Sequence, residues 1–310
     1  MIYPTAALQK TTSFLPKRVP ATGSKVQARP HLSGLTSVRF FPSSRVLLTS
    51  GLDFSLSIIP ADLPDSPESS TAKTVEAVRT LRGHKRAITS TGIIAAGRNI
   101  LSSSLDSTVK LWDVPSGTEI ASLSASSAVL STSVGHRGSF LSNSEPSTDP
   151  REIPEVQDHV VFAGLQDGSF EVFDLASKKA AHRTTPSSHQ IASIVYSDQE
   201  HLVATGSNKG LVSIYDVRVL DRPLTSFVRQ DGEILDLALL SPRGLAVATS
   251  DGLPFIATLD VDGAIRTEEL IGVDCDPVRH IRVREGADRC REVWMASDDS
   301  IVRRYEYSNV

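Results

Sequence analysis

Short runs of apolar residues, separated by clusters of turn-forming residues, recur along the chain. The clearest set lies between Gly83 and Asp113, where apolar segments at 88–94, 100–103 and 109–112 alternate with polar turns. Apolar runs of this length, bounded by turn residues, indicate short β-strands. The sequence therefore predicts an all-β fold built from small sheets.

This pattern is repeated. The unit 83–113 opens with Gly83-His84 and closes with Trp112-Asp113, which is the signature of a WD repeat, one four-stranded propeller blade per unit of about 40 residues. Weaker copies align on one residue of the tight turn before the closing strand, called the turn residue below: Asp53, Asp106, Asp167, Lys209, Asp251 and Asp299. An aromatic residue six positions later, followed by an acid, recurs in most units. We predict a WD-repeat β-propeller with six visible repeats.

The polar residues of the best unit predict a hydrogen-bonded relay within the blade. His84 can donate to Asp106, and Ser102 or Ser104 together with Trp112 can extend the relay, since buried polar groups need partners. In the first unit, His31 and Asp53 have the same spacing as His84 and Asp106, so we expect the same link there.

A catalytic interpretation of His84, Asp106 and Ser104 is a hydrolytic triad. We disfavour it, because the WD repeat accounts for all three residues and no oxyanion-forming motif accompanies them. P-loop, GxSxG, HExxH and GxGxxG motifs are missing from the sequence. We expect a protein that is not an enzyme and that needs no cofactor, metal ion or small-molecule substrate.

Composition narrows the class of protein further. The 310 residues are 40% hydrophobic with a net charge of −4, which does not fit a nucleic-acid binder. No apolar run reaches the length needed to span a bilayer, so we expect no membrane partner. Cys275 and Cys290 are the only cysteines, and this favours a reducing compartment over a disulfide framework.

The chain divides into an N-terminal segment and a repeat region. Residues 1–30 are basic, free of acids and rich in Ser, Thr and Pro; we interpret them as disordered or atypical, with an organellar transit peptide as the alternative. Residues 31–310 are predicted to form the propeller. Polar, Pro-containing insertions near 63–73 and 137–157 are expected to be mobile surface loops.

Loops that share one face of a WD propeller carry an excess of acids here. An acidic face suits a basic partner and would orient its docking. The alternative is that the acids at the tight turns serve only the blade. The candidate partner-binding residues are Asp231, Glu233, Asp274, Asp276, Asp167, Asp251 and Asp299.

Several strings between the repeats are more specific than the WD pattern itself. They are Arg39-Phe40-Phe41-Pro42-Ser43, Gly83-His84-Lys85, Gly97-Arg98-Asn99, Asp274-Cys275-Asp276-Pro277-Val278, and Asp299 followed by Ile301-Val302-Arg303-Arg304-Tyr305. In this order they resemble the family of proteasomal ATPase-associated factors, from about His31 to Val310.

The resemblance implies a function. Members of that family bind the C-terminal region of an AAA-type ATPase subunit of the 19S proteasome base, as assembly chaperones of the regulatory particle, which implies a cytoplasmic and nuclear location. The alternative is another WD-repeat adaptor, such as a ubiquitin-ligase substrate receptor or a ribosome-assembly scaffold. The family is seven-bladed, and residues 1–30 lack the first repeat. We therefore expect a ring that is open or re-closed with six blades, and marginal stability.

Overall fold

The computed structural model describes residues 6–7, 26–28, 30–61, 73–138, 149–229, 231–260, 264–272, 276–285 and 291–307. These residues fall into two compact units. The first unit contains the described residues within 18–166 and 170–183. The second contains those within 1–17, 167–169 and 184–310.

Three four-stranded antiparallel sheets, blades 1 to 3, lie in the first unit, and in each the strands follow one another in chain order. Blade 1 has β3 (Leu35–Phe40), β4 (Val46–Gly51), β5 (Ser55–Pro60) and β7 (Arg79–Arg82). Blade 2 has β8 (Ile88–Ile94), β9 (Asn99–Ser104), β10 (Thr108–Asp113) and β11 (Thr118–Ser124). Blade 3 has β12 (Val129–His136), β13 (His159–Leu165), β14 (Phe170–Asp174) and β15 (Lys179–Arg183). A separate parallel pair joins β2 (Val26–Ala28) to β6 (Lys73–Val75).

Blades 4 to 6 lie in the second unit and have the same strand order. Blade 4 has β16 (Ile191–Ser197), β17 (Leu202–Ser207), β18 (Leu211–Asp216) and β19 (Thr225–Val228). Blade 5 has β20 (Ile234–Leu240), β21 (Gly244–Thr249), β22 (Phe255–Leu259) and β23 (Ile265–Glu269), and β1 (Ala6–Ala7) pairs with β23 in parallel. Blade 6 has β24 (Val278–Glu285), β25 (Arg291–Ser297) and β26 (Val302–Tyr307).

These sheets confirm the predicted fold class, all-β and of the WD-repeat β-propeller type, with six blades among the described residues. The predicted register is also correct, because each turn residue lies between the second and third strands of its blade. The residue after it has a left-handed backbone in all six turns, with φ from 64° to 77°. Glycine occupies that position in three of them and avoids the strain that a side chain meets there.

Apolar side chains of neighbouring blades form the cores of both units. In the first unit, Leu48 and Leu56 of blade 1 pack with Ile88, Ile100 and Trp112 of blade 2. In the second unit, blades 4 and 5 share one apolar cluster and blades 5 and 6 share another. The alternation of apolar residues along the strands therefore fills the seams between blades.

The second insertion differs from the expected mobile loop over part of its length. Residues 139–148 lie outside the described residues, but 149–158 pack onto blades 2 and 3 and include a short 3-10 helix (Pro154–Asp158). Val156 is fully buried, and the buried amide of Asn99 bonds the Arg151 carbonyl and the Ile153 N–H. An apolar side chain and a satisfied backbone hold this segment despite its polar composition.

Two other expectations fall largely on residues that the structure does not describe. The insertion 63–73 lies outside them except for Lys73, which begins β6. Of residues 1–30, only the short strands β1 and β2 and Pro30 are described. Within the described residues, blade 6 has three strands where blades 1 to 4 have four.

Candidate protein-binding site

A chain of hydrogen bonds crosses blade 2 from its tight turn to its third strand. The Trp112 indole N–H donates to Ser102 Oγ at 2.8 Å, and Ser102 Oγ lies 2.7 Å from His84 Nε2. His84 Nδ1 lies 3.0 Å from Asp106 Oδ2. The structure therefore brings together His84, Asp106, Ser102 and Trp112 from the loop before the blade and its two central strands.

Ser104 lies outside this chain of bonds. Its hydroxyl donates to the Arg86 carbonyl at 3.1 Å and accepts the Asp106 N–H at 3.1 Å. It therefore closes the turn without contacting His84. A triad of His84, Asp106 and Ser104 is not assembled, and Ser102, the hydroxyl that does reach His84, is only 1% exposed.

The donors and acceptors assign the proton positions in this relay. An indole nitrogen can only donate, so Ser102 Oγ accepts from Trp112, and an ionised carboxylate can only accept, so His84 Nδ1 donates to Asp106. In the neutral imidazole that burial favours, Nε2 carries no proton and accepts the Ser102 hydroxyl. Burial lowers the pKa of His84 below its usual 6.5, although Asp106 acts in the opposite direction.

The carboxylate of Asp106 is held by more than the imidazole. Burial alone would raise its pKa, but hydrogen bonds from the Thr108 hydroxyl, the Lys85 N–H and His84 lower it below 3.8. Thr108 Oγ1 donates to Oδ1 at 2.6 Å and the Lys85 N–H donates to Oδ2 at 2.8 Å. The turn acid is therefore a fixed structural anion.

The glycine before His84 has a steric role. A Cβ built on Gly83 would lie 3.0 Å from the Trp112 ring, closer than side chains normally approach. Gly83 thus lets the indole reach across the end of the blade to Ser102. The Gly-His and Trp-Asp pairs of the unit form one local structure.

Blade 1 builds a shorter version of the same relay. His31 Nδ1 lies 2.9 Å from Asp53 Oδ1, and His31 Nε2 lies 2.9 Å from Thr49 Oγ1. Ile59 replaces the tryptophan, and Thr49 Oγ1 instead bonds the Ser57 carbonyl of the third strand at 3.2 Å. Despite partial burial, hydrogen bonds from His31, the Leu32 N–H and Ser55 lower the pKa of Asp53 to about 2.

The other turn residues are also bound within their blades. Asp167 accepts both the Ser169 hydroxyl and the Ser169 N–H, and Asp251 accepts the Leu253 N–H. In blade 4, where Lys209 replaces the acid, the Ser207 hydroxyl accepts the N–H groups of the turn.

Blade 6 replaces the histidine with an arginine. Arg303, which is 5% exposed, reaches from β26 to Asp299 Oδ2 at 2.5 Å and to Ser297 Oγ at 2.8 Å. The hydrogen bond from Arg303 lowers the pKa of Asp299 to about 2. In blade 6 the turn acid is therefore bonded by an arginine of the third strand and not by a histidine of the preceding loop.

Several members of these clusters were not predicted from the sequence. Ser55, Thr108 and Ser169 each stand two residues after the turn acid and bond it through their hydroxyls. The recurrent Asp-x-Ser/Thr pattern was the signal that could have identified them. Thr49 carried no such signal, since its role appears only when the strand register is known.

Of the candidate partner-binding residues, Asp274 lies outside the described residues. Asp276 lies half-buried just before β24. Asp231 and Glu233 lie in the loop between blades 4 and 5, where Asp231 is exposed and Glu233 is half-buried. Asp167, Asp251 and Asp299 lie in the tight turns described above.

One cluster of acids forms at the loop end of blade 5, and we call Asp231, Glu233 and Asp251 the blade-5 acidic patch. The Gly232 backbone lies against Asp251, because a Cβ built there would be 2.9 Å from its carboxyl carbon. The loop carrying Asp231 and Glu233 therefore packs directly on the tight turn of the same blade. Glu233 also acts electrostatically on Arg279 at the start of β24.

The cations beside this patch differ in how they are engaged. Arg279 is committed to Asp298 through Nε at 2.9 Å and Nη2 at 2.6 Å, and this pair raises the pKa of Arg279 and lowers that of Asp298. Lys209 lines a cavity of about 450 Å³ together with His189, Leu211, Val228 and Asp231. The patch is thus bordered by the Arg279–Asp298 ion pair, by Lys209, and by Arg229, which pairs with Glu269 and interacts electrostatically with Asp251.

Among the described residues, no group of three or more His, Cys, Asp or Glu side chains could hold a metal ion. No described helix is long and apolar enough to cross a membrane.

Residues 75–113, which cover blade 2 through its third strand, match the WD40 family (WD domain, G-beta repeat). Six sheets of this type lie among the described residues, so the fold is that of a WD-repeat β-propeller.

The chain is also similar to three individual proteins over part of its length. It is 32% identical to human proteasomal ATPase-associated factor 1 over 110 residues, 35% of this chain and 26% of that protein. It is 26% identical to human angio-associated migratory cell protein over 176 residues, 57% and 39% of the two chains. It is 25% identical to eukaryotic translation initiation factor 3 subunit I of Drosophila willistoni over 175 residues, 56% and 52%. The chain thus spans about a quarter to a half of these relatives.

Proposed function

We propose that this protein is a non-enzymatic scaffold that binds an AAA-type ATPase subunit of the 19S proteasome base and acts as an assembly chaperone of the regulatory particle. Support comes from the 32% identity to human proteasomal ATPase-associated factor 1 and from the strings that resemble this family near the C-terminus. We also propose a cytoplasmic and nuclear location, which imaging of a tagged chain would test.

The observation that carries the binding role is the blade-5 acidic patch. The carboxylates of Asp53, Asp106 and Asp299 accept hydrogen bonds within their own blades. Asp231, by contrast, is exposed in the loop between blades 4 and 5. A carboxylate in that position keeps its charge available to a partner. Together with Glu233 it would attract and orient a basic surface.

The test is affinity purification of the tagged protein from cells, with mass spectrometry of the bound proteins. The wild type is compared with a double variant, Asp231→Lys and Glu233→Lys, and with a matched control, Glu76→Lys and Glu155→Lys. The control changes the net charge equally at exposed acids of the first unit. We expect 19S base ATPase subunits with the wild type and the control and a marked loss with the double variant. Recovery of the wild type without any base subunit would refute the proposal.

A second candidate rests on the longer alignments. Similarity to translation initiation factor 3 subunit I covers 56% of the chain, more than the 35% covered by the proteasomal factor. A scaffold within a translation-initiation assembly is therefore the competing function. Initiation-factor subunits in the same purification, without base ATPases, would favour it, and cullin or pre-ribosomal proteins would indicate a different WD adaptor.

A further inference from the structure

The tight turn of blade 4 differs from the other five in the charge of its turn residue, because Lys209 stands where the other blades have an aspartate. In each of those five turns, the aspartate accepts the backbone N–H of the residue two positions later, at 3.0–3.4 Å. The donors are Ser55, Thr108, Ser169, Leu253 and Ile301. In these blades the carboxylate is therefore part of the turn structure.

Blade 4 satisfies the same backbone group without the side chain of its turn residue. An ammonium cannot accept a hydrogen bond, and the equivalent Leu211 N–H donates instead to the Ser207 hydroxyl at 3.0 Å. The Lys209 N–H donates to the same oxygen at 3.2 Å. Among the described residues, the exposed Lys209 ammonium makes no hydrogen bond or ion pair. Because Ser207 closes the turn, the charge of Lys209 has no part in holding the blade.

Lys209 instead lines the cavity of about 450 Å³ beside the blade-5 acidic patch. Asp231 lines the same cavity, is exposed, and forms no ion pair with Lys209. Leu211 and Val228, which is 45% exposed, supply apolar wall. The volume falls within the range of about 300–1,000 Å³ that is typical of ligand pockets, which combine apolar walls with a few charged groups. The cavity therefore offers one cation and one anion to an incoming side chain.

The two charges define what a matching partner carries. Asp231 and Glu233 suit basic residues of the partner. Lys209 places a positive charge beside them, and this charge repels a partner surface that is basic throughout. A carboxylate of the partner next to Lys209 turns that repulsion into attraction. Such a pairing of an attractive and a repulsive element is how interfaces discriminate between related partners.

We propose that Lys209 is a specificity-determining residue of the partner-binding surface, and that its cavity receives an acidic side chain of the partner protein. The basic residues that contact Asp231 and Glu233 flank this acid. The inference rests on the proposed function for the identity of the partner. An ammonium on a flexible stem binds a carboxylate as a point charge, while Leu211 and Val228 contact the methylene groups of the incoming side chain. The recognised segment is therefore mixed in charge and not simply basic.

The experiment is a titration of the purified full chain with a purified 19S base ATPase subunit at about 50 mM salt. We expect Lys209→Glu to weaken binding at least about tenfold and Lys209→Met about threefold. Lys209→Arg keeps the charge and should stay within about twofold of the wild type. Lys179→Glu is the matched control, because Lys179 is an exposed lysine of β15 in blade 3 and its replacement should leave the affinity unchanged. Circular dichroism verifies that each variant is folded.

The sign of the effect separates this inference from the action of the acidic patch alone. Lys209→Glu makes the surface more acidic, so a partner that is basic throughout would bind this variant more tightly at low salt. An affinity that rises, or that changes no more than in Lys179→Glu, would overturn the inference and leave the proposed function standing. If the wild type binds no base ATPase subunit, the proposed function fails and the inference fails with it.

Discussion

Two neighbouring serines of β9 allow the blade-2 relay to be tested with the same small change. Ser102→Ala removes both the acceptor of the Trp112 N–H and the donor to His84 Nε2. Ser104→Ala removes only two bonds to backbone groups of the turn. Each substitution deletes a single buried oxygen. A difference in stability between the two variants therefore reflects the lost hydrogen bonds and not the lost side-chain volume.

The structure sets the expected size of that difference. Trp112 is 2% and His84 is 7% exposed, so Ser102→Ala leaves two buried polar atoms without partners, each costing about 1–3 kcal/mol. We expect a loss of about 2–6 kcal/mol in the free energy of unfolding. Ser104→Ala should cost about 1 kcal/mol, because the affected groups lie at the edge of the turn.

The assay is urea unfolding of both variants, with peptide-resolved hydrogen exchange over 99–113 to locate the loss. We expect faster exchange of β9 and β10 in Ser102→Ala only. A double-mutant cycle with Trp112→Phe should give a coupling energy above about 0.5 kcal/mol. Equal destabilisation by the two serine variants would refute the relay as a stabilising element.

Three further outcomes follow from other contacts. Arg303→Met should lower the free energy of unfolding by about 3 kcal/mol, since it leaves Asp299 without its buried cation. Arg304→Met removes more exposed ion pairs and should cost at most about 1 kcal/mol. Urea titrations that show equal losses for the two variants would contradict this. Val156→Ala should cost about 2 kcal/mol if 149–158 belongs to the core, against no measurable change for the exposed Glu155→Ala. Because the pKa of His84 is lowered in the folded chain, the unfolded chain binds a proton more readily than the folded chain does. The contribution of His84 to stability is therefore full above pH 6.5 and is lost as the pH falls toward the folded pKa. Unfolding midpoints should be lower at pH 5.5 than at pH 7.5, and His84→Asn should reduce this difference.

Periodicity was sufficient to predict the blades. The Gly-His and Trp-Asp pairs and the spacing of the turn residues depend only on chain geometry within one blade, and they located all six tight turns correctly. The link between His84 and Asp106 was accessible for the same reason. The sequence could not decide whether Ser102 or Ser104 completed the relay. Both serines point to one side of β9, and the choice depends on how deeply the imidazole is buried.

Contacts between segments that are distant in sequence were less predictable. The Pro-rich composition of 149–158 indicated a loop, but one buried valine and the amide of Asn99 hold it against the blades. Arg303 lies on the third strand of blade 6 and bonds the turn acid there, whereas a histidine of the preceding loop does so in blades 1 and 2. No sequence spacing links these two positions. The sequence pattern around Leu35 is that of a core residue, and only the structure shows that this side chain is 55% exposed.

Direct binding of a purified 19S base ATPase subunit to the purified chain tests the central claim most simply. Titrations at about 50 and 300 mM salt should give saturable binding that weakens at the higher salt. Asp231→Lys with Glu233→Lys should weaken it at low salt by at least about tenfold, or about 1.4 kcal/mol, and Glu76→Lys with Glu155→Lys should not. No binding of any base ATPase subunit at low salt, or an affinity indifferent to both salt and the blade-5 acids, would contradict the account.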